Sequence, residues 1–280
     1  MGEPICRNLA TKSGIPVAGF DLDPAPMRRL VQHGVHQGAS LGATIEDADV
    51  IFLSLPSGDA VDKLARSPEG LLAKARRGQI VIDLSTSAVD TTRSLAKAFA
   101  EADALFVDAP VARTRAAAEA GTLSVMVGAE PDVFARVRPL LATFASDIAR
   151  CGPVGCGQVV KILNNMLLFQ IVTALAESKA IGERMGVDPS VLFDTLSNGS
   201  ADSFALRNHG MKAILPDEFP ERAFPISYAL KDLSYGLRLA TEAAIATPAA
   251  EHVKELFEQG IRVGYGNNYW PVISRLIKAA

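Results

Sequence analysis

Cysteine is scarce in this chain of 280 residues, which contains only Cys6, Cys151 and Cys156. An odd number of cysteines does not suit the paired framework of a secreted, disulfide-rich protein. Cys151 and Cys156 have no further ligands close by in the sequence, so we predict no metal site. The low cysteine content therefore predicts reduced thiols and a cytoplasmic protein.

The chain also lacks an excess of basic residues and an uninterrupted apolar run. Its 28 lysines and arginines stand against 31 acidic residues, giving a net charge of -3 without a basic stripe. Neither nucleic acid nor an anionic membrane is therefore an expected partner. The longest apolar stretch, which follows Lys161, is broken by Asn164, Asn165, Gln170 and Glu177. We predict neither a signal peptide nor a transmembrane span.

Hydrophobic residues are abundant, at 49% of the chain, and they follow two different patterns. In residues 1–152, short β-rich runs alternate with helical stretches, which predicts a parallel sheet covered by helices on both faces. After Gly157 the strand signals stop and the pattern is helical. We therefore predict an α/β protein with two domains, a Rossmann-type doubly wound parallel sheet (residues 1–155) and an all-α domain (residues 156–280). A long interdomain helix would join them.

One lysine stands at the start of the helical half. Residues 155–165 open a stretch, apolar nearly all round, that runs to about Met185 and predicts a buried helix. Lys161 and Asn165 are four residues apart and would face the same way. A buried ammonium loses its proton more readily than one in water, which suits acid–base chemistry near neutral pH. A lysine that extends from the helix end to solvent explains the same residue, and the helix alone does not separate the two.

The first residues carry part of a dinucleotide-binding pattern. That pattern is a strand, then G-x-G-x-x-G, a helix, and a second strand that ends in an acid for the ribose hydroxyls. Gly2 fits the third glycine, where helix and strand pack closely, and Asp21 fits the acid. A carboxylate at Asp21 favours NAD over NADP, although Arg28 and Arg29 keep NADP open. A surface turn that begins at Asp21 is the alternative.

The first strand and the first two glycines of that pattern are not found in the sequence. In a doubly wound sheet the first strand is central, and without it neighbouring strands would bury unpaired backbone groups at about 1–3 kcal/mol each. We therefore hypothesise that a natural N-terminal segment of roughly ten residues precedes this sequence. A divergent protein that fills the gap differently is the alternative.

Six motifs follow one another in order along nearly the whole chain. They lie at residues 1–9, at Leu55-Pro56, at Asp83-Leu84-Ser85-Thr86, at Asp108-Ala109-Pro110-Val111 with residues 120–128, at residues 157–165 and at residues 224–233. In this order and spacing they resemble the motifs of the β-hydroxyacid dehydrogenase family, which includes 3-hydroxyisobutyrate dehydrogenase. Any one of them alone would be a weak signal.

The resemblance implies a Rossmann domain and an all-α domain that supports a homodimer or homotetramer. It also implies reversible hydride transfer between NAD or NADP and a small anionic 3-hydroxy acid or aldehyde acid. Lys161 matches the catalytic lysine, and Asn165, one turn along, would hold the same oxygen or the lysine. Asn164 would reach the substrate from the side. The residues implied at the cofactor are Gly2, Asp21, Leu55, Pro56, Thr86 and Lys231.

One position departs from the family pattern. Where the family has Ser-Gly-Gly after Pro-Val, this chain has Ala112-Arg113-Thr114. A guanidinium fork suits a carboxylate, sulfonate or phosphate, and the Arg-Thr pair resembles the sulfolactaldehyde reductase branch of the family. We expect Arg113 and Thr114 to contact the substrate. An Arg113 that points to solvent or pairs with Glu119 is the alternative.

The sequence therefore favours an NAD(P)-dependent dehydrogenase of a small 3-hydroxy acid, with NAD as the expected cofactor. The first alternative is an NADH-dependent reductase of an anionic aldehyde, such as a semialdehyde or sulfolactaldehyde. The second is a non-catalytic oligomeric relative that lacks the cofactor loop.

Overall fold

The computed structural model describes residues 1–221 and 223–277, which form two compact units. The first unit is Met1–Lys161 and the second begins at Ile162. This division falls inside one long helix, so the segment predicted to join two domains contributes residues to both units. The boundary proposed from the sequence, between residues 155 and 156, lies where the same helix begins.

The first unit alternates strands and helices. Its strands are β1 (Ala18–Gly19), β2 (His36–Gln37), β3 (Val50–Leu53), β4 (Ile80–Asp83), β5 (Leu105–Asp108), β6 (Val111–Ala112), β7 (Leu123–Gly128) and β8 (Ala145–Gly152). Its helices are α1 (Gly2–Lys12), α2 (Pro24–Val31), α3 (Leu41–Asp47), α4 (Gly58–Arg66), α5 (Val89–Glu101), α6 (Arg115–Ala120) and α7 (Pro131–Leu141). Side-chain caps fix several helix starts; at α4, for example, the Oγ of Ser57 accepts from the N–H of Ala60 at 3.2 Å.

Strands β3, β4 and β5 are parallel and form one side of a six-stranded sheet with the order β3-β4-β5-β7-β6, in which β8 also pairs with β7. Every residue of β4 is buried, which explains its almost continuously apolar sequence. Because parallel strands end at the same edge of a sheet, the last residues of β4 and β5, Asp83 and Asp108, lie side by side.

The far side of this sheet is mixed. β7 runs antiparallel to β5 and β6 and parallel to β8. The parallel arrangement predicted from the sequence therefore holds for β3 to β5 but not around β7. Residues 113–122, which connect β6 to β7, are too few for a parallel crossover, which needs about a dozen residues or more.

β1 and β2 pair in parallel with one another in a separate two-stranded sheet. Among the described residues, no other strand pairs with β1, and none pairs with β3 on the edge away from β4. The single sheet expected from the sequence therefore lies in two parts. The sequence predicts no strand at β2, because its two residues are both exposed and leave no apolar pattern to detect.

The second unit is helical, as predicted. It contains most of α8 (Cys156–Arg184), then α9 (Pro189–Ser197), a π-helix (Leu206–Ile214), α10 (Ile226–Glu242), α11 (Pro248–Arg262) and a 3₁₀-helix (Trp270–Leu276). Its core gathers around Phe169, Phe257 and Trp270, whose rings meet edge to face with centroids between 4.8 and 6.1 Å apart.

Helix α8 is buried on one face only. Phe169 and Val172 are fully buried, whereas Leu167 and Ile181 keep 56% and 64% of their surface exposed. The expectation of a helix buried all round is therefore wrong for the exposed face. By length and composition alone α8 could cross a membrane. The core helix of a soluble protein meets the same criterion, so this is weak evidence for a membrane partner.

Candidate active site

Asp108 fixes the start of the helix that carries Lys161. The backbone N–H groups of Gly155 and Gln158 donate to the two carboxylate oxygens of Asp108, at 2.7 and 2.8 Å. A helix start leaves such N–H groups without partners inside the helix, and bonds to an ionised acceptor are the strong ones. Lys161 follows three residues after Gln158 and is half-buried. The carboxylate of Asp108 therefore determines where the lysine-bearing turn of α8 begins.

Asp108 is fully buried, and its environment acts on its acidity in two opposite directions. Burial raises the pKa of Asp108 to about 6, and the charge of Asp83 adds to this rise. The hydrogen bonds from the N–H groups of Gly155 and Gln158 lower the same pKa, but by less. At neutral pH the carboxylate is therefore ionised, and it takes up a proton in mildly acidic solution.

The side chain of Gln158 binds the same turn of α8 to the loop after β4. Its Nε2 donates to the carbonyl oxygen of Ser85 at 2.8 Å, and its Oε1 accepts from the N–H of Ser87 at 3.1 Å. Thr86, the predicted contact on the nicotinamide side, lies between these two anchored residues. The loop that contains Thr86 is thus held against the lysine-bearing turn.

Asp83 holds this loop from the other side. Its Oδ1 accepts from the N–H of Ser85 at 2.8 Å, and its Oδ2 accepts from the hydroxyl of Ser87 at 2.7 Å. The Oγ of Ser85 in turn accepts from the N–H of Leu55 at 2.9 Å, which attaches the predicted cofactor loop Leu55-Pro56 to the same network. A buried polar network whose members satisfy one another is rigid, so both loops are held in place by the ends of β4 and β5.

Asn165 is oriented in the second unit by a buried carboxylate on α10. Its Nδ2 donates to the Oδ2 of Asp232 at 2.7 Å, and both residues are buried. The Nζ of Lys231 lies 2.9 Å from the Oδ1 of Asp232; this contact is an ion pair without the angles of a hydrogen bond. Asn164 is exposed and donates to the Oδ1 of Asn165 at 3.2 Å. The structure thus brings together Asn164, Asn165 and Lys231 around Asp232.

Arg113 adopts an unusual backbone conformation in the loop after β6. Its φ is +84°, in the left-handed region where a residue with a side chain costs about 1 kcal/mol. Its Nη1 donates to the carbonyl oxygen of Thr122 at 2.7 Å and to the Oγ of Ser146 at 3.0 Å, and its Nη2 lies 2.7 Å from the Oδ2 of Asp147. The guanidinium thus forms an ion pair with Asp147 and not with Glu119, and substrate contact by Arg113 stays a prediction.

Thr114 has a local structural role. Its Oγ1 accepts from the N–H of Ala117 at 3.3 Å and caps α6, and the residue is exposed. A hydroxyl that accepts through one lone pair can still donate its proton to another group. The predicted contact between Thr114 and a substrate is therefore compatible with the cap.

Two of the residues predicted to bind the cofactor, Gly2 and Asp21, lie on α1 and after β1. A Cβ atom on Gly2 would lie 3.2 Å from both the Cβ and the Oγ of Ser54, so α1 approaches the end of β3 more closely than a larger residue would allow. Asp21 is exposed, and its Oδ1 accepts from the N–H of Asp23 at 2.9 Å. A glycine at a close approach and an exposed carboxylate after the next strand fit a nicotinamide dinucleotide.

Arg29, one of the two arginines that kept NADP open, is bound elsewhere. Its Nε and Nη2 donate to the two carboxylate oxygens of Glu3, at 2.6 and 2.9 Å. Glu3 lies in the first turn of α1. This bidentate pair uses the fork of donors that would otherwise suit a 2′-phosphate.

No group of three or more His, Cys, Asp or Glu side chains within residues 1–221 and 223–277 is arranged to hold a metal ion. The three cysteines are free thiols. Burial raises the pKa of Cys6 to about 11, so this thiol is protonated at neutral pH.

Sequence reasoning assigned no role to three buried side chains that hold the predicted site residues. They are Asp108, Gln158 and Asp232. The available signal was chemical: charged and amide side chains are rarely buried without a partner, and each of these stands in or beside an apolar run. The partners themselves come from distant parts of the chain and gave no local signal.

Comparisons with known proteins agree with the family resemblance. The family model for the NAD binding domain of 6-phosphogluconate dehydrogenase matches residues 1–154. The model for the NAD-binding domain of NADP-dependent 3-hydroxyisobutyrate dehydrogenase matches residues 155–270. Together the two models account for both units of the structure.

Curated relatives and solved structures match over almost the whole chain. The 3-hydroxyisobutyrate dehydrogenase of Pseudomonas aeruginosa is 35% identical over 262 residues, which cover 92% of this chain and 88% of that protein. The 2-(hydroxymethyl)glutarate dehydrogenase of Eubacterium barkeri is 33% identical over 266 residues, which cover 95% and 88%. The structure of Mycobacterium tuberculosis 3-hydroxyisobutyrate dehydrogenase with L-serine has a TM-score of 0.88 at 27% identity and covers 100% of this chain and 96% of that one.

These matches confirm the family, the α/β fold with a helical second part, and the use of a nicotinamide cofactor. They also confirm the reaction class, because the matching relatives are dehydrogenases of hydroxy acids. The chain belongs to the β-hydroxyacid dehydrogenase family and is an NAD(P)-dependent 3-hydroxyacid dehydrogenase.

Proposed function

We propose that this enzyme uses NAD to oxidise a small 3-hydroxy acid of the 3-hydroxyisobutyrate type, with Lys161 as the proton carrier. One observation carries the proposal: Asp108 caps the lysine-bearing turn of α8, and the side chain of Gln158 binds the same turn to the loop that contains Thr86. The named substrates of the two curated relatives support the substrate class, because both are carboxylic acids with a hydroxyl on the β-carbon.

Each predicted site residue has a task in this reaction. A bound NAD would supply the acceptor for the hydride on the carbon that carries the hydroxyl. Lys161 accepts the hydroxyl proton during oxidation and returns it during reduction. Asn165 uses one N–H on Asp232 and has a second N–H on the same nitrogen for the substrate oxygen. Arg113, Thr114 and Asn164 bind the anionic end of the substrate.

A panel of substrates and cofactors tests this proposal. Initial rates are measured with 3-hydroxyisobutyrate, L-serine and 2-(hydroxymethyl)glutarate, each with NAD and with NADP, and with an anionic semialdehyde and sulfolactaldehyde in the direction of reduction. We expect the highest kcat/KM for 3-hydroxyisobutyrate with NAD. A higher value for sulfolactaldehyde would contradict the substrate class, and NADH binding without turnover of any substrate would support the non-catalytic alternative.

The preference for NAD is assigned to Asp21. A carboxylate at this place bonds the ribose hydroxyls of NAD and repels the 2′-phosphate of NADP. Replacing Asp21 with asparagine removes the charge and should raise the ratio of kcat/KM for NADP to that for NAD by about tenfold, the equivalent of 1.4 kcal/mol. Steady-state kinetics with both cofactors measures this ratio.

Asp23 provides the matched control. It lies two residues further on, and its Oδ1 caps α2 by accepting from the N–H of Ala25 at 2.9 Å. Asparagine caps helices as well as aspartate does, so Asp23→Asn makes the same change of charge without loss of the cap. If both variants change the cofactor ratio equally, Asp21 has no special position at the ribose.

The second candidate function, reduction of an anionic aldehyde, is favoured by the anchored guanidinium of Arg113. Its bonds to Thr122 and Ser146 hold it in one place, so little further ordering is needed to bind an anion. If Arg113 binds the anionic end of the substrate, Arg113→Ala should lower kcat/KM by about tenfold, the usual value of a charged hydrogen bond. The comparison of sulfolactaldehyde with 3-hydroxyisobutyrate shows which substrate loses more.

Asp147→Asn separates this role from a purely structural one. It removes the ion-pair partner of Arg113 but leaves the guanidinium in the loop. If Arg113 only pairs with Asp147, the variants Arg113→Ala and Asp147→Asn should have the same kcat/KM. If Arg113 binds substrate, only Arg113→Ala should have a lower kcat/KM.

We also propose a cytoplasmic homodimer or homotetramer. The small content of cysteine, all as free thiols, supports the compartment. The exposed apolar side chains Leu167 and Ile181 on one face of α8 support association, because large apolar side chains grouped on a surface mark contact sites. Light scattering on the purified protein measures the number of subunits.

A further inference from the structure

Asp108 occupies a space that is shaped closely around a carboxylate. Gly128 on β7 is its partner in the sheet, and a Cβ atom on Gly128 would lie 2.2 Å from the Oδ1 of Asp108. A Cβ atom on Gly157, in the first turn of α8, would lie 2.8 Å from the Oδ2. Two glycines thus let β7 and α8 close around the side chain, which leaves the carboxylate little freedom to move.

The ionised form of this side chain is the stronger acceptor for the N–H groups of α8. The N–H groups of Gly155 and Gln158 each need an acceptor, and an ionised carboxylate offers one at either oxygen. A protonated carboxyl carries its proton on one of the two oxygens, and the bond that this oxygen accepts is weakened because its acceptor is no longer charged. Since burial raises the pKa of Asp108 to about 6, the exchange between the two forms falls in a range that kinetics can reach.

Two other ionisable groups interact with this carboxylate from the elements packed around it. They are Asp83 on β4 and Cys151 on β8, and Cys156, in the first turn of α8, interacts with Cys151. The charge of Asp83 favours the protonated form of Asp108. Burial raises the pKa of the Cys151 thiol, and the charge of Asp108 adds to that rise. The Cys151 thiol therefore stays neutral throughout the range in which Asp108 titrates.

We propose that Asp108 is a positioning residue of the dehydrogenase reaction: its carboxylate fixes the first turn of α8 and thereby the position of the Lys161 amine. The proposal rests on the proposed role of Lys161 as proton carrier. Less than one helical turn separates Gln158 from Lys161, so a change at the cap is transmitted to the amine through a short, rigid piece of helix. A misplacement of about 1 Å at a reacting group can cost about 10²-fold in rate.

Asp108→Asn removes the charge but keeps the shape of the side chain, so it tests the role of the charge. Asparagine keeps one acceptor oxygen but turns an NH₂ group toward one of the two N–H donors. We expect kcat to fall by about 10-fold to 100-fold, with the Kd for NADH, measured by nicotinamide fluorescence, unchanged. In the direction of reduction, in which Lys161 acts in its protonated form, the kcat of the natural enzyme should fall as the pH falls through about 6, because protonation of Asp108 weakens the cap. In Asp108→Asn this fall in kcat at acidic pH should be absent.

A second readout follows Lys161 without using activity. The rate at which an amine-specific acylating reagent labels Lys161, measured by mass spectrometry, reports the exposure and basicity of this amine. Asp108→Asn should change the labelling rate of Lys161 but not that of Lys179, which lies further along α8 and pairs with Glu183. If Asp108→Asn changes the labelling rate of Lys161 but not kcat, Asp108 does position the amine, and the proposed role of Lys161 as proton carrier is wrong.

Val137→Ala is the control for a simple loss of stability. Val137 is fully buried on α7 in the core of the same unit. The substitution Val137→Ala should lower the Tm but leave the fall in kcat at acidic pH and the labelling rate of Lys161 unchanged. The proposal is overturned if Asp108→Asn behaves like Val137→Ala, with a lower Tm and an unchanged pH profile. Should Asp108→Asn fail to fold, the natural enzyme decides: a kcat that stays constant from pH 7 to pH 5 also overturns the proposal.

Discussion

Replacing Lys161 with methionine should lower kcat by about 10²-fold to 10⁴-fold, the usual contribution of a general acid–base group. Methionine keeps an unbranched apolar stem of similar length, so the half-buried site on α8 stays filled and only the amine is lost. Without the amine, no group on this turn accepts the hydroxyl proton as the hydride leaves. Initial rates at saturating 3-hydroxyisobutyrate and NAD measure kcat, and nicotinamide fluorescence measures NADH binding, which should be unchanged.

Lys179→Met is the matched control for this substitution. Lys179 lies on the same helix eighteen residues further on, which is about five turns, and it is also half-buried, with 23% of its side chain exposed. Its ion pair with Glu183 is a partly exposed i,i+4 pair, which contributes little to stability. We expect full activity from Lys179→Met. Turnover by Lys161→Met within tenfold of the natural enzyme would show that another group carries the proton.

The local part of this site could be predicted from the sequence alone. The apolar stretch from residue 155 to about Met185 predicts a helix, and α8 spans Cys156–Arg184. Lys161 and Asn165 are four residues apart, and that spacing by itself places two side chains on one side of a helix. The ends of β4 and β5 also follow from the sequence, because each apolar run stops at an aspartate.

The contacts that hold the site could not be predicted in the same way. Asp108 binds Gly155 and Gln158 across 47 and 50 residues, and Asn165 binds Asp232 across 67 residues. Such pairs depend on which elements pack together, and helical or strand periodicity carries no information about that. The one correct local clue was the presence of charged and amide residues in apolar surroundings, where they need partners.

Arg113 is a second case in which the sequence alone could not predict the partner of a side chain. The residue type predicted an anion-binding fork for a substrate, and the structure gives that fork an anion of the protein itself, Asp147. Residue type specifies the chemistry that a side chain prefers, while the fold decides which partner is within reach. The exposed face of α8 is a similar case, because an apolar face reads the same whether the chain's own core or another subunit covers it.

Gly157→Ala should destabilise the protein strongly, although helix propensity alone predicts the opposite. Alanine is favoured over glycine by about 1 kcal/mol inside a helix, and Gly157 lies in α8. However, a Cβ atom at this position would lie 2.3 Å from the carbonyl oxygen of Met126 and 2.9 Å from the backbone nitrogen of Gly128. These are backbone atoms of β7 and cannot rotate away as a side chain does, so α8 must move from the sheet.

The movement would also break the cap, because the same Cβ atom would lie 2.8 Å from the Oδ2 of Asp108. Overpacking of a core costs about 1–3 kcal/mol, and the loss of a bond to a charged group costs about 1.5–3 kcal/mol. We therefore expect the free energy of unfolding to fall by about 3 kcal/mol or more. Urea unfolding, followed by circular dichroism at pH 7.5, measures this change.

Gly34→Ala separates the effect of space from the effect of backbone conformation. Gly34 has a φ of +83°, and an added Cβ atom there would meet nothing within 4 Å. Gly34→Ala should therefore lower the free energy of unfolding only by the conformational penalty of about 1 kcal/mol. If Gly157→Ala lowers the free energy of unfolding by no more than Gly34→Ala does, α8 can shift on β7 without loss of stability. The lysine-bearing turn is then not held rigidly against β7. If Gly157→Ala costs more and also lowers kcat, the close contact between α8 and β7 serves both the fold and the reaction.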